Sequence, residues 1–304
     1  MMFLGIDIGG TSVKAALLRR DVIRTGISAE YARPDRDTLT RAIRSAVAEA
    51  CDGAPPDGLG RVGLCVPGRL SEDGGSIDLA VNVPGLVGYR FEDLVETATG
   101  ARAPFCKLGD AEAATLDVAR DMPAGRTLGI AIGTGVGMAL VEDGRPIRLG
   151  RGGIGHLGQI DVGPIGDGIS PGDRIGPDGG RNSLEAYLGL PALRARFGQG
   201  LSGALGSMDD TDPALVALSR ALRIALALYE PQHVLLLGGV GMAMRCHAAL
   251  IDRMVREGIT GVVPAGWQLA FGRSRHHAAI GAAHAARGSH TERKSLHSQV
   301  GEGA

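Results

Sequence analysis

Two short glycine-rich segments could bind an anion, and they are near copies of one another. The first spans residues 4–11 (LGIDIGGT), and the second starts 124 residues later and spans residues 128–135 (LGIAIGTG). Each has the pattern of a buried strand followed by a tight turn without bulky side chains and by a second apolar strand. Glycines at such a turn let backbone N–H groups approach an anion closely. The repeat predicts a duplicated domain that holds a polyphosphate from both sides.

Asp7 is the acidic residue of the first segment, and it stands between two isoleucines. A carboxylate there is costly unless it meets a cation or hydrogen-bond donors. We expect it at the tip of the turn, contacting Mg²⁺ through water beside a phosphate. The alternative is an aspartate that only stabilises the turn. Because Gly9, Gly10 and Thr11 follow at once, we favour the functional interpretation and assign Lys14 to nucleotide binding as well.

Gly133, Thr134 and Gly135 form the turn of the second segment. This segment does not satisfy the dinucleotide motif G-x-G-x-x-G, because Met138 holds the last position. The chain also contains no G-x-x-x-x-G-K-[ST] motif. The two turns therefore indicate neither a dinucleotide fold nor a P-loop, and their pairing is the stronger signal.

Asp110 follows a predicted strand and opens a predicted helix, whose N-terminus favours the ionised carboxylate. It is either a plain N-cap or, beside two phosphate turns, a base for a hydroxyl that attacks a γ-phosphate. Asn82 could hydrogen-bond sugar hydroxyls or simply occupy a turn. His156 and Glu185 flank a glycine-rich loop and could contact a sugar in the same way, although a lone histidine in such a loop is more often solvated or structural.

Composition excludes several classes of protein. The 304 residues suffice for two domains. A net charge of −1 argues against a broad nucleic-acid-binding surface. No apolar run reaches the roughly eighteen residues of a membrane span, and we expect no signal peptide. The four cysteines lie far apart and fit reduced thiols in a cytoplasm. We expect a cytoplasmic protein without nucleic-acid or membrane partners.

Apolar periodicity predicts a β-β-β-α-β-α-β unit up to about residue 110, with a helix from an Asp37 N-cap to about Cys51. The second unit repeats the hairpin and continues into a stretch over residues 144–182 that is rich in glycine, proline and charge. We expect that stretch to be a functional loop outside the core. Helices are predicted near 184–196 and 212–229.

A buried strand over residues 233–237 runs into Gly238 and Gly239. We assign residues 1–120 to an N-terminal α/β domain and residues 121–287 to a larger C-terminal one, whose last helix could pack on the N-terminal domain. Residues 288–304 are polar, and we expect a disordered tail.

The ordered set of motifs resembles the ROK family of repressors, open reading frames and sugar kinases, which belongs to the actin-like, hexokinase-type ATPases. The resemblance covers roughly residues 3–287. The motifs are DIGGT at 7–11, GLCVPG at 63–68, NVPG at 82–85, DAEAA at 110–114, GTGVG at 133–137, GIGH at 153–156, LEAY at 184–187 and LGG at 237–239.

This resemblance implies an α/β fold with two ribonuclease-H-like domains and an interdomain cleft. It implies ATP and Mg²⁺ as cofactors, with Asp110 as the base towards a sugar hydroxyl, usually the primary 6-hydroxyl. The implied sugar contacts are Asn82, Gly109, Asp110, His156 and Glu185. The implied nucleotide contacts are Asp7, Gly9, Gly10, Thr11, Lys14, Gly133, Thr134, Gly135, Gly238 and Gly239.

Departures from the family pattern concern the sugar more than the reaction. The family usually has asparagine where this chain has Gly109, and glutamate where it has Gly153. Each unfilled hydrogen-bond position costs about 1–3 kcal/mol. We therefore expect a modified acceptor, such as an amino sugar, an N-acyl sugar or a C7 cyclitol. Because Gly176, Asp178 and Ser183 replace cysteines of the family's zinc motif, we expect no structural zinc.

Three alternatives to this modified-sugar kinase remain open. The first is a plain glucokinase, and the second is a catalytically silent sugar sensor, against which the retention of Asp7 and Asp110 speaks. The third is a repressor of the same family, which carries a helix-turn-helix domain ahead of the first phosphate turn. Since Asp7 lies so near the first residue, we expect no such domain. A homodimer stays open, because dimers are common in the family.

Overall fold

The computed structural model describes residues 1–53, 58–149, 153–165, 175–176 and 179–288. The chain forms two compact units. The first unit consists of Met1–Asp117 together with the chain from His276 onward. The second unit consists of Val118–Arg275. The division expected from the sequence falls instead after residue 120. Within the described residues, no helix combines the length and the apolar composition that a bilayer crossing requires.

A five-stranded sheet forms the centre of the first unit. The strands of this unit are β1 (Met2–Ile8), β2 (Val13–Arg19), β3 (Val22–Ile27), β4 (Leu59–Cys65), a separate two-stranded ribbon of β5 (Arg69–Leu70) and β6 (Ile77–Leu79), and β7 (Phe105–Leu108). The sheet order is β3-β2-β1-β4-β7, in which β1, β4 and β7 are parallel. The carboxyl ends of these three strands therefore share one edge, where open α/β sheets bind ligands.

The helices α1 (Arg36–Cys51), α2 (Phe91–Thr99) and α3 (Asp110–Ala119) also begin in this unit. The predicted N-cap of α1 is wrong. Asp35 caps the helix, because its backbone is extended and its carboxylate accepts the backbone N–H of Thr38 at 2.8 Å. Asp37 lies in the first turn, where a negative charge is still favourable.

The second unit repeats this sheet. Its strands are β8 (Arg126–Ile132), β9 (Val136–Glu142), β10 (Arg145–Ile147), β11 (His233–Leu237) and β12 (Gln268–Phe271). Their order is β10-β9-β8-β11-β12, with β8, β11 and β12 parallel. Order and direction therefore match the first sheet strand for strand.

The two hairpins differ by one residue at the turn. Ile8 pairs with Val13 in the first hairpin, whereas Ile132 pairs with Val136 in the second. The offset of 124 residues between the two segments therefore describes only the strand before each turn. The structural counterpart of Asp7 is Ala131, but that of Lys14, its pairing partner, is Gly137.

In its described residues, the second unit has six α-helices: α4 (Leu184–Leu188), α5 (Leu190–Phe197), α6 (Leu201–Gly206), α7 (Pro213–Tyr229), α8 (Gly238–Ala243) and α9 (Ala248–Gly258). The single helix predicted near 184–196 is two helices. Gly189 interrupts it with an extended ψ of 141°, because Pro191 can start a helix but cannot donate to the preceding turn.

The long glycine-rich stretch contributes to the core of the second unit. Ile154, Leu157, Val162 and Ile165 are buried among its apolar side chains. The expectation that residues 144–182 lie outside the core is therefore wrong for these four positions. Isolated apolar residues among glycines and charges carry no periodic signal, and burial depends on the tertiary fold.

A final alanine-rich helix, α10, spans residues 277–288. It lies in the first unit against the central sheet. A Cβ at Gly5 would overlap the backbone of Ala279, and one at Gly63 would overlap that of Ala282. Glycine at these two strand positions therefore permits the close approach of α10. Residues 289–304, which include nearly all of the expected tail, lie outside the described residues.

Candidate functional site

An ion pair connects the two strands of the first hairpin. Asp7 lies within β1, opposite Lys14 of β2, and the Lys14 Nζ atom is 3.2 Å from Asp7 Oδ2. The Asp7 side chain is almost buried. The expected place of Asp7 at the tip of the turn is wrong, since the strand continues to Ile8. Within the described chain no hydrogen bond engages the other oxygen, Oδ1.

The first glycine turn is held by a tyrosine that sequence reasoning missed. The hydroxyl of Tyr31 donates to the Gly9 carbonyl at 2.7 Å, and its backbone N–H donates to the Thr11 carbonyl at 2.9 Å. Burial, and then the charge of Asp7, raise the pKa of the Tyr31 phenol above its ordinary value. Tyr31 follows β3, so only the pairing of β3 with β2 brings it to the turn.

Asp110 lies at the carboxyl edge of the first sheet, as the first residue of α3. Its Oδ1 accepts the N–H of Ala111 at 2.7 Å. The residue keeps an exposed surface, although surrounding protein displaces much of the water near its carboxyl. This loss of hydration, followed by the charge of Asp7, raises the Asp110 pKa, while the Ala111 N–H and Lys14 act in the opposite direction. A raised pKa makes the carboxylate a stronger base.

Gly109 and Asn82 belong to the same unit as Asp110. A Cβ at Gly109 would meet only the Glu112 Cβ, at 3.9 Å, so space is available directly beside Asp110. Asn82 is half-buried and precedes a short 3₁₀ turn over residues 84–86. No hydrogen bond from the described residues engages its amide, which is therefore available for a ligand.

The second glycine turn is held by different groups. Gly133 N–H donates to the Gly135 carbonyl at 2.9 Å, and Leu190 N–H donates to the Gly133 carbonyl at 2.8 Å. Glu185 Oε2 accepts the N–H of Val136 at 2.8 Å. A Cβ at Gly135 would lie 2.7 Å from that same oxygen. The structure thus places Glu185 against the turn, a contact that the sequence pattern did not reveal.

Gly238 lies next to the second turn. Its φ is +76°, and a Cβ there would overlap the carbonyl of Ile132, which directly precedes Gly133. A Cβ at Gly239 would have no atom within 4 Å. Two glycine segments that are far apart in sequence, at the ends of β8 and β11, therefore meet at one sheet edge.

His156 and Ser183 also lie in the second unit. His156 is exposed, and its carbonyl accepts the N–H of Gln159 in a short 3₁₀ turn. Ser183, at an expected zinc-motif position, caps α4 by accepting the N–H of Ala186. Asp178, at another such position, lies outside the described residues. In the part of the chain that the structure describes, no three His, Cys, Asp or Glu side chains form a metal-binding group.

Comparison with known proteins gives two kinds of likeness. A sequence model of the ROK family matches residues 3–288. An N-acetylmannosamine kinase from Salmonella newport (strain SL254) is 33% identical over 178 residues, which are 55% of this chain and 56% of that kinase. The match therefore spans little more than half the length of this curated relative.

Solved structures are similar over nearly the whole chain. A ROK hexokinase from Thermus thermophilus has a TM-score of 0.66 at 23% identity and covers 96% of this chain and 100% of its own. A ROK family glucokinase from Streptomyces griseus, in complex with glucose and AMPPNP, has a TM-score of 0.67 at 22% identity, with 94% and 99% covered. These likenesses confirm the α/β, actin-like ATPase fold predicted from the sequence.

Proposed function

Because this chain belongs to the ROK family, we propose that it is an ATP-dependent sugar kinase that transfers the γ-phosphate to a hydroxyl of a hexose. The observation that carries this proposal is the group formed by Asp110, Asp7 and Lys14 at the carboxyl edge of the first sheet. Reduced hydration, and then the charge of Asp7, raise the pKa of Asp110, whereas the charge of Lys14 lowers it. One carboxylate is thus poised as a base beside a second carboxylate and a cation.

The residues present fit Mg²⁺ and ATP. Mg²⁺ is usually held by one or two carboxylates together with waters and substrate phosphates. Asp7 has an oxygen that Lys14 leaves unused, so it could hold Mg²⁺ through water. A Cβ at Gly133 would meet no atom within 4 Å, which leaves room for phosphate at the second turn. Bound Mg²⁺ would neutralise charge on the phosphates.

The remaining nucleotide contacts follow from the two turns. The phosphates would lie against the first turn and Lys14, and against the second turn. The adenosine would border the segment that starts α8. The proposed nucleotide contacts are Asp7, Gly9, Gly10, Thr11, Lys14, Gly133, Thr134, Gly135, Gly238 and Gly239.

In the proposed reaction, Asp110 accepts the proton of the sugar hydroxyl that attacks the γ-phosphorus. The raised pKa brings its proton affinity closer to neutral pH, which favours this transfer. Lys14 places a positive charge beside Asp7, and backbone N–H groups of the turns stabilise negative charge on the transferred phosphoryl group. Asn82, His156 and Glu185 would orient the sugar.

We further propose that the acceptor is a modified hexose, phosphorylated on its primary 6-hydroxyl. The open space at Gly109 supports this, and so does Gly153, where a Cβ would meet no atom of the described residues within 4 Å. Both positions lack the polar side chains that the family pattern supplies for ring hydroxyls. Among amino sugars, N-acyl sugars and C7 cyclitols, the curated N-acetylmannosamine kinase supports an N-acyl sugar.

The experiment is ADP release from Mg-ATP with a panel of acceptors: glucose, mannose, N-acetylmannosamine, N-acetylglucosamine, 3-amino-3-deoxyglucose and a C7 cyclitol. We expect a modified sugar to give the highest kcat/KM. Glucose giving the highest value would instead establish a plain glucokinase. Sugar binding in calorimetry without any ADP release would point to the silent sensor.

Two substitutions sharpen this panel. Gly109→Asn and Gly153→Glu restore the polar groups, and neither glycine has a positive φ or a close neighbour that opposes a side chain. We expect each to raise kcat/KM for glucose relative to the modified sugar, by up to about tenfold per restored hydrogen bond. An unchanged ratio in both variants would contradict the assigned role of these positions.

A further inference from the structure

Three carbonyl oxygens of the first glycine turn, those of Gly9, Thr11 and Ser12, accept hydrogen bonds from protein donors. The Gly9 carbonyl accepts from the Tyr31 hydroxyl and the Thr11 carbonyl from the Tyr31 N–H. The Ser12 carbonyl accepts from the Gly9 N–H at 3.0 Å. In the described structure, by contrast, the backbone N–H groups of Gly10 and Thr11 have no acceptor. Most acceptors of the turn are therefore occupied, while two of its donors are available.

This arrangement matters for binding an anion. A phosphate is attracted by N–H groups and repelled by carbonyl oxygens, so a turn binds it well only when its carbonyls are directed elsewhere. Among the residues that the structure describes, Tyr31 supplies the one side chain that donates to a carbonyl of this turn. The neighbouring segment is anchored independently, because Ser28 Oγ accepts the Val13 N–H at 3.0 Å and Ser28 N–H donates to the Val13 carbonyl at 2.9 Å.

We propose that Tyr31 is a positioning residue for nucleotide phosphate, whose hydroxyl holds the Gly9 carbonyl so that the N–H groups of the turn face the phosphate. This inference rests on the proposed kinase function, since it assigns phosphate to the first turn. In this proposal Tyr31 does not contact the substrate. It acts by holding the Gly9–Ser12 backbone in place.

Tyr31→Phe isolates the hydroxyl. The backbone hydrogen bond from residue 31 to Thr11 and the anchoring by Ser28 survive the change. Tyr89 offers a control in the same unit: it is buried, and its hydroxyl lies 2.6 Å from Thr97 Oγ1 and 3.4 Å from Thr40 Oγ1. Tyr89→Phe therefore also removes the hydrogen bonding of a tyrosine hydroxyl, but none to the turn.

The test is calorimetric titration of each full-length variant with Mg-AMPPNP, together with steady-state kinetics. We expect Tyr31→Phe to bind Mg-AMPPNP about fivefold more weakly, the order of one net hydrogen bond, and to raise KM for ATP without changing KM for the sugar. Tyr89→Phe should match the wild type in both constants, even if both variants lose thermal stability.

Equal nucleotide affinity in Tyr31→Phe and the wild type would overturn the inference and leave the kinase function standing. Equal losses of affinity in both tyrosine variants would also overturn it, because the effect would then reflect general stability. A wild-type protein that binds neither Mg-AMPPNP nor Mg-ADP would overturn the proposed function and this inference with it.

Discussion

The two glycine turns share a backbone frame and differ in the chemical groups around it. Both connect antiparallel strands at the same place in sheets of identical order. The first has an ion pair between Asp7 and Lys14, where the second has Ala131 opposite Gly137. In the proposed kinase, the second turn would serve phosphate binding alone, whereas the first would combine binding with the charges that the chemistry requires.

The side chains that hold the two turns also differ, because one donates a hydrogen bond and the other accepts one. A tyrosine hydroxyl donates to a carbonyl of the first turn, and a glutamate carboxylate accepts an N–H next to the second. In the first turn this leaves N–H groups available. At the second, Glu185 takes up the Val136 N–H, so a proposed sugar contact also fixes the shape of a proposed phosphate contact.

Among changes to the two turns, the largest effect is expected from giving the first hairpin the uncharged character of the second. In Asp7→Ala/Lys14→Met we expect kcat/KM to fall at least about 100-fold, because a metal contact contributes several kcal/mol. The fold should persist, since replacing a largely buried ion pair by apolar residues is often neutral or stabilising. Steady-state kinetics and thermal unfolding measure the two quantities.

Asp7→Ala alone serves as the control for that double variant. It leaves the Lys14 ammonium in a mostly buried position without its carboxylate, so its Tm should lie below that of the double variant. Near-normal turnover in the double variant would contradict the division of roles between the turns.

A smaller effect separates phosphate binding from folding within the second turn. Gly133→Ala adds a methyl group where the described residues place no atom within 4 Å, so Tm should stay constant. If phosphate occupies that space, KM for ATP should rise about tenfold, the order of a steric penalty of ~1.4 kcal/mol. Measured together, an unchanged Tm and an unchanged KM would show that phosphate does not approach Gly133.

Gly135→Ala is expected to differ from Gly133→Ala in its effect on Tm and so serves as a reference for the previous result. Its methyl group would lie 2.7 Å from Glu185 Oε2 and would displace the carboxylate from the Val136 N–H. We expect a lower Tm as well as weaker nucleotide binding, because a hydrogen bond within the fold is lost. A Tm equal to that of the wild type would contradict the contact.

The main elements of the fold could be predicted from the sequence, but few of the side-chain contacts could. The repeated hairpin, the helix starting at Asp110 and the strand that ends at Leu237, just before Gly238, are local patterns, and the structure has all three. The role of Tyr31 and the contact of Glu185 with the second turn depend on distant segments meeting, which no local pattern encodes. The one-residue difference between the turns was not visible in the sequence, because Ala15 and Ala139, which follow the turns, are also 124 residues apart.

The smallest effect concerns the protonation of Asp110. We expect its pKa in the ligand-free protein to exceed the ordinary value of about 3.9, because reduced hydration and Asp7 both disfavour the charge. Carboxyl ¹³C NMR titration, assigned with Asp110→Asn, measures this value, and Asp7→Asn should lower it. An Asp110 pKa below the ordinary value would contradict the described environment.

A stability consequence follows from the same shift. The folded protein binds the Asp110 proton more tightly than the unfolded chain does, so this group stabilises the fold below its unfolded pKa. That contribution is lost as the pH rises through the folded pKa. At neutral pH, Asp110→Asn should therefore unfold at the same temperature as the wild type or higher.

The substitution Asp110→Asn tests most directly whether Asp110 is the base of a sugar kinase. Turnover of the best acceptor with Mg-ATP is measured for the wild type and the variant, with Mg-AMPPNP binding measured in parallel. We expect kcat to fall by roughly 10²–10⁴-fold while nucleotide affinity is retained. Near-normal turnover in a variant that still binds nucleotide would contradict the claim.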